Sequence, residues 1–471
     1  MIQDKNVDIK NAKTTEKSAK NIKKIIKIKN KTRDNIEKRN KKEQKRIINC
    51  NKKILKPKDL EKSILLKINE FNTNGKKTIV YFIDSFYPVI DGVVSVLDNY
   101  ANFMSDFYNV VICSPKHKNK TYEAENYLVI GANSVYLKNS YDMGFPDFDD
   151  KFNRYISLLK IDLIHINAPF TMGHFGLVLA KKRKIPSIST FHSQFKQDFY
   201  KATNSKFLSQ LFSSFIINIY QKTTITLTMN QFSASVMEDY GLKNKKVGIV
   251  PNATSLKYKE FDEEYEKQVL SKYNFHKEKF NLIFIGRLVK VKNVYFILDV
   301  LKEFKKVNPE FQMMFLGYGP EEEEMKNFCK ENGLEDNVLI TGKVSDENEK
   351  SILIKNSDIL FFPSNYDTDG IVRIECACFG VPTLCAENTG VSSSLIDNET
   401  GFVEKLDIES MVNRLVFLSK NVDFVKIIGK NAKENVYITW QQVGEQLKEI
   451  YEELLNTKNI KKILKNNKIK K

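Results

Sequence analysis

Cysteine is scarce in this sequence, and its spacing fits neither a metal site nor a redox site. The 471 residues include only six cysteines. Cys376 and Cys378 are separated by one residue, which is too few for the usual zinc-binding pair. No signal peptide is recognisable at the N-terminus, so we expect reduced thiols in a cytoplasmic protein.

Long apolar runs are also missing. No stretch approaches the roughly 20 consecutive apolar residues that a transmembrane helix needs. The hydrophobic content of 42% and the aromatic content of 11% are those of a globular protein. A chain of this length is expected to form two or three domains, which can lie on a membrane but should not cross one.

Acidic residues are few at the two ends of the chain. Residues 1–58 carry a net charge of +15 and residues 458–471 carry +7, which leaves −5 for residues 59–457 out of a total of +17. The basic isoelectric point therefore describes the tails and not the folded body.

The composition of residues 1–75 predicts a lysine-rich tail with no more than transient helix. Within the two tails, NIKKIIK (21–27) and NIKKILK (459–465) are near copies that place apolar residues among lysines. Such segments can lie on an anionic bilayer, or they can reflect a biased composition alone. A nucleic-acid-binding role through the tails is a further alternative, but the tails lack interleaved aromatics and hold almost no arginine.

From Thr78 onward, strand and helix patterns alternate. The first series of buried strands includes TIVYFIDSF, NVVICSP, IDLIHINAP and SISTFHS, and the second includes FNLIFIGRL, FQMMFLGYG, NVLITGKV and DILFFPS. This alternation predicts an α/β protein with two Rossmann-like, doubly wound domains facing a cleft. The predicted divisions are a tail at 1–75, domains at 76–250 and 251–436, a helix at 437–456 that crosses back to the first domain, and a tail at 457–471.

The most informative segment is DTDGIVRIE, residues 367–375. A helix is predicted to begin after Gly370, and its first turn would leave backbone N–H groups free to bind an anion. Glu375, about one turn into the helix, could bind a ribose diol, and Asp367 could reach a sugar. The spacing alone fits equally well a loop and a surface helix with two ordinary acids.

A pair of cations follows another predicted strand. In FIGRLVKVKN, Arg287 comes directly after Gly286 and Lys292 lies five residues further on. Both can converge on one diphosphate, the arginine through its planar fork and the lysine as a point charge. Two solvated surface cations are the alternative.

With these motifs in one order, residues 78–456 resemble family 4 of the retaining GT-B-fold glycosyltransferases. The segments that carry the resemblance include YPVIDGVVSVL, HINAPFTMGHFG, IVPN, FIGRLVKVKN, FLGYGPEEEEM and DTDGIVRIE. The resemblance implies a hexosyltransferase that uses a nucleotide-diphosphate sugar, with a UDP-sugar favoured. It also implies no metal and no other cofactor.

The resemblance also implies roles for particular residues. Asp367 stands where most members have Glu and would contact the donor sugar, with a covalent nucleophile as the less favoured role. His192, in TFHS, would contact the sugar or phosphate near the reacting carbon, and Glu375 would bind the ribose. The catalytic set is then Arg287, Lys292, Asp367 and His192, and the donor-binding set is Asp91, Gly92, Gly286, Gly342, Lys343, Val344, Asp369, Gly370, Ile371, Val372 and Glu375.

The acceptor is predicted from a weaker signal. The stretch FLSQLFSSFIINIY, residues 207–220, is apolar and lies between Lys206 and Lys222. It is either a helix packed within the N-terminal domain or an element that touches a membrane. A lipid acceptor at an anionic surface, with the protein on the inner face of the plasma membrane, is the leading hypothesis. A soluble or polysaccharide acceptor, a phosphorylase and a nucleotide-sugar epimerase on the same fold remain open.

Overall fold

The computed structural model describes residues 57–89, 91–118, 120–136, 142–243 and 247–456. The predictions for the lysine-rich repeats at 21–27 and 459–465 concern residues outside this part of the chain. The chain divides after Leu66 into two compact units, and all of the sheets lie in the second, Lys67–Lys471.

The first sheet has seven parallel strands in the order β3-β2-β1-β6-β7-β8-β9. A separate antiparallel pair, β4 and β5, follows β3 in the chain. The strands are β1 (Thr78–Phe82), β2 (Asn109–Pro115), β3 (Leu128–Ala132), β4 (Ser134–Tyr136), β5 (Asp142–Gly144), β6 (Leu163–Ile166), β7 (Ser187–Phe191), β8 (Ile225–Thr228) and β9 (Val247–Ile249). The helices are α1 (Pro57–Thr73), α2 (Gly92–Ser105), α3 (Asp150–Leu158), α4 (Thr171–Arg183), α5 (Phe195–Thr203), α6 (Lys206–Lys222) and α7 (Gln231–Asp239).

The second sheet has six parallel strands in the order β12-β11-β10-β13-β14-β15. Its strands are β10 (Phe280–Ile285), β11 (Phe311–Leu316), β12 (Val338–Gly342), β13 (Ile359–Phe361), β14 (Thr383–Ala386) and β15 (Phe402–Glu404). The helices around it are α8 (Glu263–Lys272), α9 (Val294–Val307), α10 (Glu322–Glu331), α11 (Glu347–Lys355), α12 (Ile371–Cys378), α13 (Ile408–Lys420) and α14 (Val422–Asn435).

Continuous apolar runs explain why these segments form central strands. Every residue of β1, β2, β10 and β11 is buried, as expected for parallel strands covered by helices on both faces. In each sheet the strand order reverses once, between β1 and β6 and between β10 and β13. Such a switch point leaves a crevice at the carboxyl ends of the strands, where ligands bind in doubly wound folds. The predicted α/β fold class is confirmed.

The last described helix, α15 (Trp440–Asn456), belongs to the core of the first sheet. Val443, Leu447 and Tyr451 are fully buried in that core. A Cβ on Gly444 would lie 2.4 Å from the Phe103 ring, so glycine permits the close approach of α15 to α2. The chain therefore returns to the N-terminal domain after completing the second sheet.

Helix α1 corrects one expectation from composition. It occupies Pro57–Thr73, within the segment predicted to hold only transient structure. Ile64, Ile68 and Phe71 are spaced along one helical face, and Ile68 and Phe71 are buried. The average composition of residues 1–75 hides this stripe, which is why the prediction was wrong for these residues.

Among the described residues, no helix is long and apolar enough to cross a membrane.

Candidate active site

The carboxyl end of β10 opens into a loop that holds both predicted cations. Arg287 is exposed, and its guanidinium makes no hydrogen bond or ion pair with the residues that the structure describes. Two glycines after β11 allow close approach to this loop. A Cβ on Gly317 would lie 1.8 Å from the Gly286 carbonyl oxygen, and one on Gly319 would lie 2.0 Å from the Leu288 carbonyl oxygen. Backbone packing therefore fixes the loop that presents the arginine.

Lys292 and Asp367 meet in a two-pronged ion pair. The Lys292 Nζ lies 2.7 Å and 2.9 Å from the two carboxylate oxygens of Asp367, and the Ser364 hydroxyl donates to Oδ2 at 2.6 Å. The lysine and aspartate side chains are 18% and 21% exposed. Lys292 Nζ also lies 5.1 Å from the centre of the Phe362 ring. The two predicted catalytic charges thus neutralise each other in this arrangement.

Helix α12 begins where the sequence predicted it. Gly370 adopts φ +70°, a left-handed conformation that glycine permits at no steric cost, and the helix runs from Ile371 to Cys378. A Cβ on Gly370 would lie 3.1 Å from the Val391 Cγ2 atom. The side chain of Ile371 packs against the N-terminal core and that of Val372 against the C-terminal core. Both side chains are partly buried by these contacts, and the backbone amides of the turn begin the helix.

The carboxylate of Asp369 serves the loop itself. Its Oδ1 atom accepts from Arg373 at 2.7 Å and from the Ser394 hydroxyl at 3.1 Å. Both members of the Asp369–Arg373 pair are buried. The Oδ2 atom of Asp369 is buried and finds no hydrogen-bond partner among the described residues. This pair fixes the shape of the turn between Asp367 and the helix start.

Glu375, the predicted ribose ligand, faces Lys350 on α11. Lys350 Nζ donates to Glu375 Oε2 at 2.6 Å, and both side chains are partly buried. The ion pair holds the carboxylate about one turn beyond Gly370 on α12. Lys350 was not predicted from the sequence, and nothing in its neighbourhood of the chain marks it.

The predicted nucleobase loop follows β12. Gly342 has φ +70°, and it pairs with Gly317 at the point where the register between β11 and β12 shifts. The side chain of Val344 packs against the C-terminal core. Gly342, Lys343 and Val344 therefore lie beside the loop after β11, at the same edge of the sheet as Arg287.

In the N-terminal domain, Asp91 caps helix α2. Its side chain accepts from the Val94 amide at 2.8 Å, and burial raises its pKa. Gly92 is the first residue of the helix, and a Cβ there would meet no atom within 4 Å. The structure thus gives Asp91 a capping role that the sequence interpretation did not include.

His192 lies just beyond the end of β7 and is buried. Its Nε2 atom lies 3.2 Å from Asn167 Oδ1, at the end of the neighbouring strand β6. Burial lowers the pKa of His192 to about 4, so the imidazole is neutral at neutral pH. With Nε2–H donating to the asparagine, Nδ1 is the acceptor nitrogen.

The loops of the N-terminal domain contact the DTDG turn directly. The Thr368 hydroxyl donates to the His192 carbonyl oxygen at 3.1 Å, and Gln194 Nε2 donates to the Tyr366 carbonyl oxygen at 3.0 Å. Asn230, at the start of α7, donates to the carbonyl oxygens of Thr368 at 2.7 Å and Gly390 at 3.0 Å. His192 and Asp367 are therefore brought to one site from different domains.

Asn230 was missed by sequence reasoning. Its Oδ1 atom accepts from the Ser233 amide at 2.9 Å, which is the ordinary contact of a helix N-cap. The sequence signal points only to this cap, and the bonds from Nδ2 to the other domain have no local pattern.

No group of three or more His, Cys, Asp and Glu side chains able to hold a metal occurs in the part of the chain that the structure describes.

Two doubly wound parallel domains, with a cation loop and a glycine-started helix at the switch point of the second, define a GT-B glycosyltransferase. Residues 266–435 match the family described as Glycosyl transferases group 1, and residues 90–258 match Glycosyltransferase Family 4. The chain belongs to this family of glycosyltransferases, as the motifs predicted.

The chain is similar along most of its length to proteins of this family. It is 22% identical to the alpha-monoglucosyldiacylglycerol synthase of Acholeplasma laidlawii, over 82% of this chain and 98% of that protein. The sucrose-phosphate synthase of Thermosynechococcus elongatus superposes with a TM-score of 0.64 at 17% identity, covering 80% of this chain and 99% of that one. The Anabaena protein HepE in complex with UDP-glucose superposes with a TM-score of 0.62 at 14% identity, covering 80% of this chain and 99% of HepE.

Proposed function

We propose that this glycosyltransferase moves a hexose from a UDP-sugar to a hydroxyl of a membrane lipid or lipid-linked glycan, with retention and without a metal. The observation that carries the proposal is the contact of the His192 loop with the turn that holds Asp367. In this proposal His192 acts near the leaving phosphate and Asp367 near the sugar, and the contact supports their acting at one site.

The donor-binding half of the proposal rests on charge. A nucleotide-sugar diphosphate carries about two negative charges, and these must be stabilised as the sugar leaves. Arg287 is exposed, Lys292 lies on the same loop, and the α12 helix start supplies backbone amides. The Glu375 carboxylate accepts hydrogen bonds from the ribose hydroxyls. The structurally similar HepE forms a complex with UDP-glucose, which supports a uridine nucleotide for this chain.

The chemical step is a front-face substitution. The bond between the anomeric carbon and the β-phosphate oxygen breaks, and the acceptor oxygen bonds to the same face of that carbon. The acceptor proton passes to the departing phosphate oxygen, so no separate base is needed. Lys292 and Arg287 stabilise the charge on the leaving diphosphate, and the chain contributes positioning and electrostatics. Asp367 holds a sugar hydroxyl and forms no covalent bond.

A lipid acceptor is supported by the relatives. The Acholeplasma laidlawii protein is named for making a monoglucosyldiacylglycerol, and it shares nearly its whole length with this chain. Diacylglycerol presents one primary hydroxyl at the level of the headgroups, which suits an enzyme that approaches from the water side.

A donor screen followed by product analysis tests the proposal. UDP-glucose, UDP-galactose, UDP-N-acetylglucosamine and GDP-mannose are ranked by thermal shift with EDTA present. The best donor is then incubated with a lipid extract, and products are identified by mass spectrometry. We expect a hexosyl lipid whose anomeric configuration, read by NMR, matches that of the donor. Epimerised donor without acceptor, a soluble product only, or an inverted anomer would contradict the proposal.

A further inference from the structure

The outward face of helix α6 is apolar. Phe207, Leu211 and Phe215 are 76%, 55% and 62% exposed, and their spacing of four places them on one stripe. Leu208 and Phe212 are exposed beside them. A patch of this kind marks an interaction site more often than an accident of the surface.

The inward face of the same half of the helix is polar. Ser209 and Ser213 are fully buried, and their hydroxyls donate to carbonyl oxygens of the preceding turn, those of Lys206 at 3.0 Å and Ser209 at 2.7 Å. A surface helix of a globular domain ordinarily shows the reverse arrangement. Because Ile216 and Tyr220 bury the second half of the helix, the fold does not need the exposed phenylalanines. The packed-helix alternative therefore accounts for Ile216 and Tyr220 but not for the exposed stripe.

The charges along α6 itself are of one sign. No Asp or Glu occurs from Phe199 to Met237, and Lys206 and Lys222 are exposed at the two ends of α6. Lysine is depleted at protein–protein interfaces, and pairing two copies of this patch would bring lysines together. An apolar stripe with basic ends instead complements the surface of an anionic bilayer.

The patch is joined to the cleft by packed aromatic rings. Phe212 lies 5.1 Å from Phe199 on α5, between ring centres. At the other end of α5, Phe195 lies 5.7 Å from Phe170, which follows β6. Helix α5 begins three residues after His192, so α5 and its aromatic contacts link α6 to the strand ends near the site.

We propose that the outward face of α6 docks on the surface of an anionic bilayer, inserting Phe207, Leu211 and Phe215 at the headgroup level. The inference rests on the proposed lipid acceptor for its purpose, since docking there would present the lipid hydroxyl beside the cleft. Docking itself is a binding event that needs no donor and no turnover.

Flotation of the full chain with lipid vesicles tests the proposal. Vesicles of phosphatidylcholine alone and of phosphatidylcholine mixed with phosphatidylglycerol are compared for the wild type and for the triple variant Phe207→Ser, Leu211→Ser, Phe215→Ser. At the headgroup level each side chain is only partly buried, which contributes about a factor of five to the partition coefficient, so its value for the mixed vesicles should fall about a hundredfold in the triple variant. Binding of the wild type should weaken with salt and on phosphatidylcholine alone.

A matched control removes similar apolar surface elsewhere. Val307, Ile396 and Ile427 in the C-terminal domain are also more than half exposed, and their replacement by serine should leave vesicle binding unchanged. Unchanged UDP binding in both triple variants shows that they are folded. Equal binding by the α6 variant and the wild type would overturn the proposal, as would loss of self-association by that variant without loss of vesicle binding.

Failure of this proposal differs from failure of the proposed function. Transfer to a short-chain diacylglycerol dispersed in detergent does not require docking, so the α6 variant should retain it at the wild-type rate. If that transfer is absent in both proteins while vesicle binding is lost only in the variant, the acceptor is wrong and the docking surface stands.

Discussion

From the ion pair between Lys292 and Asp367 we predict that one substitution strengthens UDP binding and slows sugar transfer. In the structure the ammonium is engaged with both carboxylate oxygens, at 2.7 Å and 2.9 Å. A diphosphate that recruits Lys292 must therefore compete with this pair. Asp367→Asn removes the competing charge and keeps the shape of the side chain, so we expect the variant to bind UDP more tightly and to transfer sugar more slowly.

The size of the effect follows from the exposure of the pair. Exposed ion pairs contribute at most about 1 kcal/mol, and this one lies near that limit because both side chains are about four-fifths buried. UDP affinity should therefore rise about fivefold. Loss of a preorganised group at the reacting sugar typically costs about a hundredfold or more in turnover, which sets the expected fall in transfer. Lys292→Gln should act in the opposite sense on binding, lowering UDP affinity at least about tenfold, because a charge-assisted hydrogen bond is lost.

Isothermal titration calorimetry with UDP, without acceptor, measures the binding, and mass spectrometry of the product measures transfer. Asp423→Asn is the matched control, because Asp423 pairs with Lys426 at 3.6 Å on the exposed surface of α14. Weaker UDP binding by Asp367→Asn would refute the competition argument. A glycosyl-enzyme trapped on Asp367 would refute its assignment as a non-covalent sugar ligand.

Three further changes separate the roles of neighbouring residues. The pKa of His192 is lowered to about 4 from an ordinary value near 6.5, so the unfolded state binds a proton that the folded state does not, and stability falls as the pH drops through this window. Urea denaturation measures the free energy of unfolding at each pH. In His192→Gln its decrease between about pH 6.5 and about pH 4 should be smaller than in the wild type by about 3 kcal/mol. An unchanged pH dependence would contradict the buried neutral imidazole. Asn230→Asp keeps the helix cap but places a buried carboxylate against the carbonyl oxygens of Thr368 and Gly390, so both Tm and the UDP affinity should fall, the affinity about tenfold by calorimetry, whereas Asn230→Ser should show the milder loss of both. Lys350→Gln should weaken UDP binding about fivefold and leave pyrophosphate binding unchanged if its partner Glu375 binds the ribose, as proposed; an equal loss for both ligands would contradict that role of Glu375.

Much of the fold could be predicted because parallel strands are buried on both faces. Their residues form short, continuous apolar runs such as Phe280–Ile285, and helical patterns between them leave few alternatives to a doubly wound sheet. The start of α12 was equally predictable, since Gly370 is followed by a helical pattern. Helix α1 was not, because its apolar stripe is short and lies within a lysine-rich stretch.

The parts of the site that escaped prediction are those made by distant pairs. Asn230 contacts Thr368 across 138 positions of sequence, and its local context indicates only a helix cap. Lys350 lies 25 positions before Glu375, on a different helix with no motif of its own. Asp91 is a different case, because its capping bond was missed although an Asp directly before a helix is the local signal for one. Local chemistry can be read from one segment, whereas a partner brought in by tertiary packing cannot.

Thr368 connects the residue that pairs with Lys292 to two residues of the N-terminal domain. Thr368 follows Asp367 directly, its hydroxyl bonds to the His192 carbonyl oxygen, and its own carbonyl oxygen accepts from Asn230. A Cβ on Gly390 would lie 2.2 Å from that same carbonyl oxygen, so the turn is also confined from the other side. A diphosphate that draws Lys292 away from Asp367 therefore acts on a residue whose neighbour is fixed to the N-terminal domain. Because no residue separates Asp367 from Thr368, we expect donor binding at Asp367 to affect the placement of the His192 loop, and a double-mutant cycle of Asp367→Asn with Thr368→Val on UDP affinity should measure that coupling.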